Sequence, residues 1–288
     1  MRNVLQTVEK VLDHDIAILI RGESGVGKDY LAEAIHACSA RRADPFVHVD
    51  CATIPPDLFE SELFGYEKGT FTDAVARRLG RLELAGGGSV YFDNIDTLPT
   101  ALQAKLLRVL QDKRFTRLGG HQNIEFAARI ISSASGDLDA LLASGAFRRD
   151  LFYRINVVPV MLPPLRERRQ DILPLARVFA GKGKRIDRDA EALLTAHAWP
   201  GNVRELRNAI ERAMLTGDGE TVAAAALPLS GPELVSAAAR GRWTLDELEQ
   251  NYIRAVLAET RSNYSKAAEI LGINRKTLLE KRRKYGLE

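Results

Sequence analysis

Cysteine is scarce in this chain: Cys38 and Cys51 are the only two in 288 residues. That excludes a disulfide framework and points to a reducing, cytoplasmic compartment. Cys51 follows a strand-like run and reads as a small core residue. Long apolar runs are missing too. Ile16–Ile20, the longest near the start, is far too short to span a bilayer. No basic segment precedes a long apolar one, so neither an export signal nor a membrane span is expected. There is no internal repeat. An excess of one charge is also lacking, since the formal net charge is only +3. With 45% hydrophobic residues the chain is not mostly disordered. Its length allows one sizeable core with one or two small modules.

The charge that exists is unevenly spread. Residues 261–288 hold eight Lys/Arg against three Asp/Glu, a surplus larger than that of the whole chain. A basic tail on a slightly acidic body suggests nucleic acid; the plainer reading is a solvated surface helix. Hydrophobic spacing predicts a helix over Val4–Leu12, then short apolar strands at Ile16–Ile20, Phe46–Val49, Val90–Phe92, Arg129–Ser132 and Val157–Leu162. Helical patterns lie between most of them, including Tyr30–Ala40 and Ala101–Gln111. Such alternation implies an α/β fold with a mainly parallel sheet covered on both faces. After Pro163-Pro164 the pattern becomes helical: Asp171–Phe179, Asp189–His197 and Val203–Thr216. The expected organisation is an α/β nucleotide-binding subdomain over 1–165, a helical lid over 166–225, a linker over 226–242 rich in Ala, Pro and Gly, and an all-helical module over 243–288.

Strand, glycine turn and helix meet at Gly22-Glu23-Ser24-Gly25-Val26-Gly27-Lys28, the spacing of a P-loop. Its glycines let backbone N–H groups turn toward phosphate oxygens, and the next helix adds its positive end. Lys28 is expected on the β- and γ-phosphates of ATP. The usual Ser/Thr after the lysine is Asp29, which can meet Mg²⁺ through water or cap the helix. Val90-Tyr91-Phe92-Asp93 is an apolar strand ending in a carboxylate, as a Walker B strand does. Asp93 and Asp29 are the expected metal-side residues.

Together these motifs resemble the central AAA+ domain of sigma-54-dependent transcriptional activators. The resemblance runs from about Arg2 to Leu287 through GESGVGKD (Gly22–Asp29), ELFGYEKGTFTDA (Glu62–Ala74), GGSVYFDNID (Gly87–Asp96), FRRDLFYRINV (Phe147–Val157), LPPLRERRQDI (Leu162–Ile172) and WPGNVRELRNAIERA (Trp199–Ala213). In that family an acidic residue normally follows the P-loop lysine. The resemblance implies a ring-forming ATPase, taken as a hexamer, that remodels RNA polymerase bound to sigma-54. Relatives often carry an N-terminal sensory or receiver domain, and this sequence starts at the first helix of the motor. Arg148 and Arg154 match arginine fingers that act on the neighbouring subunit's nucleotide; alone, they read as surface partners of Asp150 or Glu167. Arg204 matches the lid arginine that senses the γ-phosphate. Gly69, Thr70, Phe71, Thr72, Asp73 and Ala74 match the sigma-54-contacting loop, which normally reads GAFTGA, so Thr70 and Asp73 depart from it.

Near the end, NYSKAAEILGINRKTLLEKRRKY (Asn263–Tyr285) reads as a helix over Ser265–Leu271, a turn at Gly272, and a second helix capped by Asn274. This resembles the Fis-type helix-turn-helix. Asn274, Arg275, Lys276 and Thr277 start the helix expected in the major groove. Lys281 also faces outward, and Arg282, Arg283 and Lys284 are assigned to phosphates. The expected DNA target is two-fold, bound by a dimer of these modules.

Two further departures bear on hydrolysis. The Thr-Asn pair that usually ends the sensor strand is Ala134-Ser135. The family's Walker B Asp-Glu is Asp93-Asn94, while the Asn that holds that Glu from the second strand is Asp50. An exchanged pair is therefore expected, with Asp50 polarising water and Asn94 holding it. The competing function is a DNA-binding regulator that uses nucleotide only as a ligand and does not remodel sigma-54 polymerase. A helicase or clamp loader is a third class, disfavoured by the helix-turn-helix and the GTFTDA element.

Overall fold

The computed structural model describes residues 1–72, 74–217, 219–228, 243–260 and 264–286. Asp73, residues 229–242 of the expected linker, and Asn263 lie outside them. The chain forms two compact units, Met1–Phe179 with Ala198–Asn208, and Ala180–His197 with Ala209–Glu288.

The first unit is an α/β layer structure. Its strands are β1 (Ile18–Arg21), β2 (Phe46–Asp50), the two-residue β3 (Gly65–Tyr66) and β4 (Arg78–Leu79), β5 (Ser89–Asp93), the short β6 (Arg114–Phe115) and β7 (Ile124–Glu125), β8 (Arg129–Ala134) and β9 (Val158–Met161). Five of them make one sheet in the order β2-β5-β8-β1-β9, every pair parallel. Side chains alternate between its faces, as the period of two requires. Leu19, Val49, Val90, Phe92 and Ile130 face one core with Phe59, Leu63, Leu106, Leu151 and Ile155 from helices Pro56–Phe64, Thr100–Asp112 and Arg149–Ile155. Ile18, Ile20, Tyr91, Ile131 and Val160 face the other, closed by Val8 of helix Arg2–Glu9 and Leu31 and Ile35 of helix Lys28–Ala37. Leu19 is fully buried; truncating such a residue to Ala costs about 2–5 kcal/mol.

The parallel arrangement brings the residues following β1, β5 and β8 to one edge, the carboxyl ends where α/β sheets bind ligands. The first helix is shorter than its apolar spacing predicts. It stops at Glu9, and Val11 N and His14 N then bond to carbonyls three residues back. The helix after the P-loop begins at Lys28 rather than Tyr30 and ends at Ala37. Ser39 Oγ turns back on His36 O, closing that end.

In the second unit, β10 (Arg185–Ile186) pairs in parallel with β11 (Thr221–Val222). Asp187 caps helix Arg188–Ala196 by accepting from Ala190 N. Helices Leu245–Glu259, Tyr264–Ile270 and Arg275–Lys284 close over Ile253, Val256, Leu257, Ala267, Ala268 and Leu278. Gly272, at φ +64°, makes the turn between the last two. Among the described residues no helix is long and apolar enough to cross a membrane.

Candidate nucleotide site, contact loop and helix-turn-helix

The loop Gly22–Gly27 follows β1 and ends in a helix whose first turn has no side-chain cap, so its N–H groups point out of the helix end toward the loop. Gly25 must be glycine. It sits at φ +74°, and a Cβ there would lie 2.4 Å from Gly201 O. Its own carbonyl accepts from Val203 N at 2.9 Å and Arg204 N at 3.2 Å. Lys28 Nζ donates to Gly22 O at 3.0 Å and Glu23 O at 3.1 Å, which curls the loop around the ammonium. Burial pulls Lys28 below its ordinary pKa, against the opposing charges of Asp93, Asp29 and Asp96. Arg204 reaches the loop directly, with Nη1 donating to Ser24 Oγ at 3.0 Å.

Glu23 is the loop's anchor, which the motif alone does not reveal. Arg166 grips it with both nitrogens, at 2.6 and 2.8 Å, and Asn202 Nδ2 donates to it at 3.0 Å. These bonds, Arg166's first, hold its carboxyl down at about 2. A cavity of about 890 Å³ opens against Gly22 and Glu23, walled by Val4, Leu162, Pro163 and Arg166. Apolar walls with a few polar groups suit the flat face of a nucleotide base.

Asp93 ends β5 beside Asp29. Tyr91 joins them: its hydroxyl lies 2.8 Å from Asp29 Oδ1 and 3.1 Å from Asp93 Oδ1. Burial pushes the Tyr91 phenol far up, so it stays a donor. Ser133 Oγ also donates to Asp93, and Asn94 N donates to it at 3.0 Å. Sequence reasoning missed Tyr91 and Ser133. The signal was the alternation of β5, which turns Tyr91 to the P-loop face.

The expected pairing of Asp50 with Asn94 forms only loosely. Asn94 Nδ2 donates to Asp93 Oδ2 at 3.1 Å and to Asp50 Oδ1 at 3.5 Å, and Ser135 Oγ donates to Asn94 Oδ1 at 3.1 Å. Asp50 Oδ1 also accepts from Ala52 N at 3.0 Å. Asp50 ends β2, and β5 and β8 stand between it and β1. Arg148 is gripped by Asp150 at 2.7 and 3.1 Å, and Arg154 Nη2 donates to Leu110 O at 2.9 Å. In this arrangement both arginines have partners within the subunit.

The Gly69–Ala74 loop rises from a polar base. Arg117, buried, donates to Glu67 at 2.6 Å and binds both oxygens of Glu83. Thr70, a departure from the family's loop, has a structural role: its Oγ1 bonds to Glu67 O at 2.6 Å and Leu118 O at 3.0 Å. Gly69 N donates to Ala74 O at 2.8 Å, which closes the turn. At the tip Phe71 is 44% exposed, packed edge-on to Tyr66 at 4.8 Å, and Thr72 is exposed.

In the helix-turn-helix, Asn274 Oδ1 accepts from Thr277 N at 2.8 Å, the expected cap. Arg275, Lys276 and Arg283 are exposed. Others are engaged. Lys281 pairs with Glu249 at 2.7 Å, Lys284 with Asp246 at 3.0 Å, and Arg282 lies over the Tyr264 ring at 5.0 Å.

Comparison with known proteins gives three consecutive matches. Residues 1–161 match the Sigma-54 interaction domain, 166–240 the AAA+ ATPase lid domain, and 244–285 the Fis family of bacterial regulatory proteins. The chain is 42% identical over 309 residues to Regulatory protein AtoC of Escherichia coli, an alignment covering 100% of this chain and 66% of AtoC. It is 39% identical over 330 residues to the DNA-binding transcriptional regulator NtrC of Rhizobium meliloti, covering 100% of this chain and 68% of NtrC. The crystal structure of NtrX from Brucella abortus in complex with ATP superposes with a TM-score of 0.72 at 40% identity, over 99% of this chain and 67% of NtrX. The chain thus spans about two-thirds of the length of these relatives.

Proposed function

The chain belongs to the family of sigma-54-dependent transcriptional activators, and from that premise we propose that it is a DNA-bound, cytoplasmic activator that hydrolyses ATP to remodel RNA polymerase carrying sigma-54. The observation that carries this reading is the pairing, within one unit, of a nucleotide loop with a projecting apolar tip. Lys28, Arg204 and Asp93 gather at the sheet's carboxyl edge, while Phe71 stands out on a braced loop. A motor needs both: a site whose occupancy changes with turnover, and a surface that grips the partner.

The residues divide the work as follows. Backbone N–H groups of Gly25–Gly27 and the Lys28 ammonium bind the phosphates. Arg204, in the first turn of helix Asn202–Thr216, reports the γ-phosphate to that helix. Mg²⁺, held with the nucleotide by one or two protein carboxylates, fits Asp93 and Asp29, which one hydroxyl joins. When bound it neutralises charge on the β- and γ-oxygens. Assembly is a ring, read as a hexamer, in which Arg148 and Arg154 leave their own-subunit partners and serve the neighbour's phosphates. The helix-turn-helix modules pair on a two-fold DNA site.

A second reading is favoured by one observation: Asn94, an amide, stands where a carboxylate is needed for hydrolysis. On that reading nucleotide is a ligand only. Open-complex formation on a sigma-54 promoter decides between them. The wild type is expected to support it with ATP, to fail with a non-hydrolysable analogue, and to fail as Lys28→Ala. Equal promoter opening with ATP and the analogue, or with the vegetative sigma factor alone, favours the ligand-only reading.

A further inference from the structure

A hydrolytic carboxylate must approach the γ-phosphate, which sits near the P-loop that follows β1. Neighbouring strands lie about 4.8 Å apart. Asp50, on β2, is therefore about 14 Å across the sheet from β1, with β5 and β8 between. β8, by contrast, is the strand hydrogen-bonded to β1. A carboxylate over the end of β8 is better placed than one over the end of β2.

Asp96 is there. It lies in the short turn Ile95–Thr97 that follows β5 and is entered through the left-handed Asn94, at φ 52°. Gly136 N, two residues past the end of β8, donates to Asp96 Oδ2 at 2.9 Å. A Cβ on Gly136 would lie 2.8 Å from the same oxygen, so a side chain there would push the carboxylate aside. The other oxygen, Oδ1, is buried and has no hydrogen-bonding partner among the described residues. Leaving a buried carboxylate oxygen unpaired is costly, so Oδ1 gains a partner once the turn admits a water beside it. The charge of Asp96 bears on Lys28, as do those of Asp93 and Asp29.

We infer that Asp96, not Asp50, is the carboxylate that activates the attacking water, Asn94 and Asp50 serving to brace the turn that carries it. This rests on the reading that the protein hydrolyses ATP. Asp96 Oδ1 accepts a hydrogen from water. The water oxygen bonds to the γ-phosphorus as the bond from that phosphorus to the β–γ bridging oxygen breaks. The water's proton passes by way of Asp96 to the released phosphate, and ADP departs.

The test compares wild type, Asp96→Asn and Gly136→Ala as assembled rings, measuring phosphate release and, by calorimetry, ADP affinity. Asn keeps an acceptor for Gly136 N, so Asp96→Asn retains the fold while losing the base. Its kcat is expected to fall ~10²-fold or more with KM and ADP affinity unchanged. Gly136→Ala, which displaces the carboxylate without altering it, is expected to lose kcat in the same direction. If wild type turns over and Asp96→Asn keeps its rate within about threefold, the assignment is overturned while the ATPase reading stands. Loss of ADP affinity in step with kcat shows a structural role and overturns it too. A wild type that assembles and binds ATP but releases no phosphate overturns the ATPase reading and this assignment with it.

Discussion

The Tyr91 hydroxyl lies 2.8 Å from Asp29 Oδ1 and 3.1 Å from Asp93 Oδ1, so one phenolic hydrogen is shared by two carboxylates whose charges both bear on Lys28. Like charges so close repel unless a donor or a cation stands between them. Tyr91→Phe keeps the ring's packing and removes the donor. It is expected to destabilise the nucleotide-free protein by about 1.5–3 kcal/mol, as loss of a hydrogen bond to a charged group does. Mg²⁺ brought in with ADP takes over the screening, so the deficit is expected to shrink at saturating Mg-ADP. Urea unfolding with and without Mg-ADP measures both, and an equal deficit in the two conditions would contradict the bridging role.

Glu23 gives a pH prediction. Its carboxyl is lowered from 4.5 to about 2, first by Arg166 and then by Asn202. A depressed folded-state pKa contributes stability that is fully present above the unfolded value and is lost as pH falls through the folded one. The window here is therefore pH 4.5 down to about 2. Because the pair is 42–43% exposed, its contribution is screened to about 1 kcal/mol or less. Glu23→Gln should be less stable than wild type at neutral pH, with the difference closing toward pH 2. Carbon-detected titration of Glu23 checks the value directly; a midpoint near 4.5 in the wild type rules out the clamp.

The sequence told more about the chain's local grammar than about its crossings. Strand–loop–helix at Gly22–Lys28, the carboxylate at the end of β5 and the Asn274 cap are short-range patterns, and each stands where its spacing implies. Glu23–Arg166, Tyr91–Asp29, Asp96–Gly136 and Lys281–Glu249 join residues that are neighbours only once the sheet or the helical module has formed. No periodicity encodes them. Thr70 is the instructive case: as a letter it is a departure from a motif, and in the fold its hydroxyl is a strut to Leu118.

That strut yields the third prediction. Thr70→Ala removes the one hydroxyl hydrogen that Glu67 O and Leu118 O share at the base of the loop and leaves Phe71 in place. Stability is expected to drop by about 0.5–1.5 kcal/mol, with binding to sigma-54 weakened modestly. Phe71→Ala removes the exposed apolar tip and is expected to abolish binding while leaving ATP affinity unchanged. Pull-down of sigma-54 beside ATP calorimetry separates the two variants. Retained binding by Phe71→Ala removes the loop from the contact.

The fingers give the fourth. Among the described residues Arg154 bonds to Leu110 O alone, so its loss should spare folding. In a ring, an arginine finger is worth ~10³–10⁵ in rate. Arg154→Ala and Lys28→Ala subunits are each expected to be inactive alone, and their mixture to regain activity at interfaces that pair an intact loop with an intact finger. Co-assembled mixtures that stay inactive would count against a shared site.

The last prediction concerns which basic residues reach DNA. Each phosphate contact contributes a slope of about 0.9 to the fall of log affinity with log salt. A residue already neutralised inside the module releases little, because its charge has a partner before DNA arrives. Lys281 is half-buried against Glu249, and Lys284 pairs with Asp246. Arg283 is exposed, with no such acidic partner among the described residues, and Arg275 and Lys276 are exposed at the start of the recognition helix. Arg283→Ala should therefore lower the salt slope by about 0.9 per module with sequence preference kept. Lys281→Ala should lower it by clearly less, and Glu249→Gln, which frees Lys281, should raise it. Arg275→Ala should instead relax preference at one base position, costing about 1–3 kcal/mol on the preferred site. Fluorescence anisotropy across a salt series, on preferred and scrambled duplexes, reads all four variants. Equal slope changes for Arg283→Ala and Lys281→Ala would show that the Glu249 pairing opens when DNA binds, and would return Lys281 to the phosphate-contacting set.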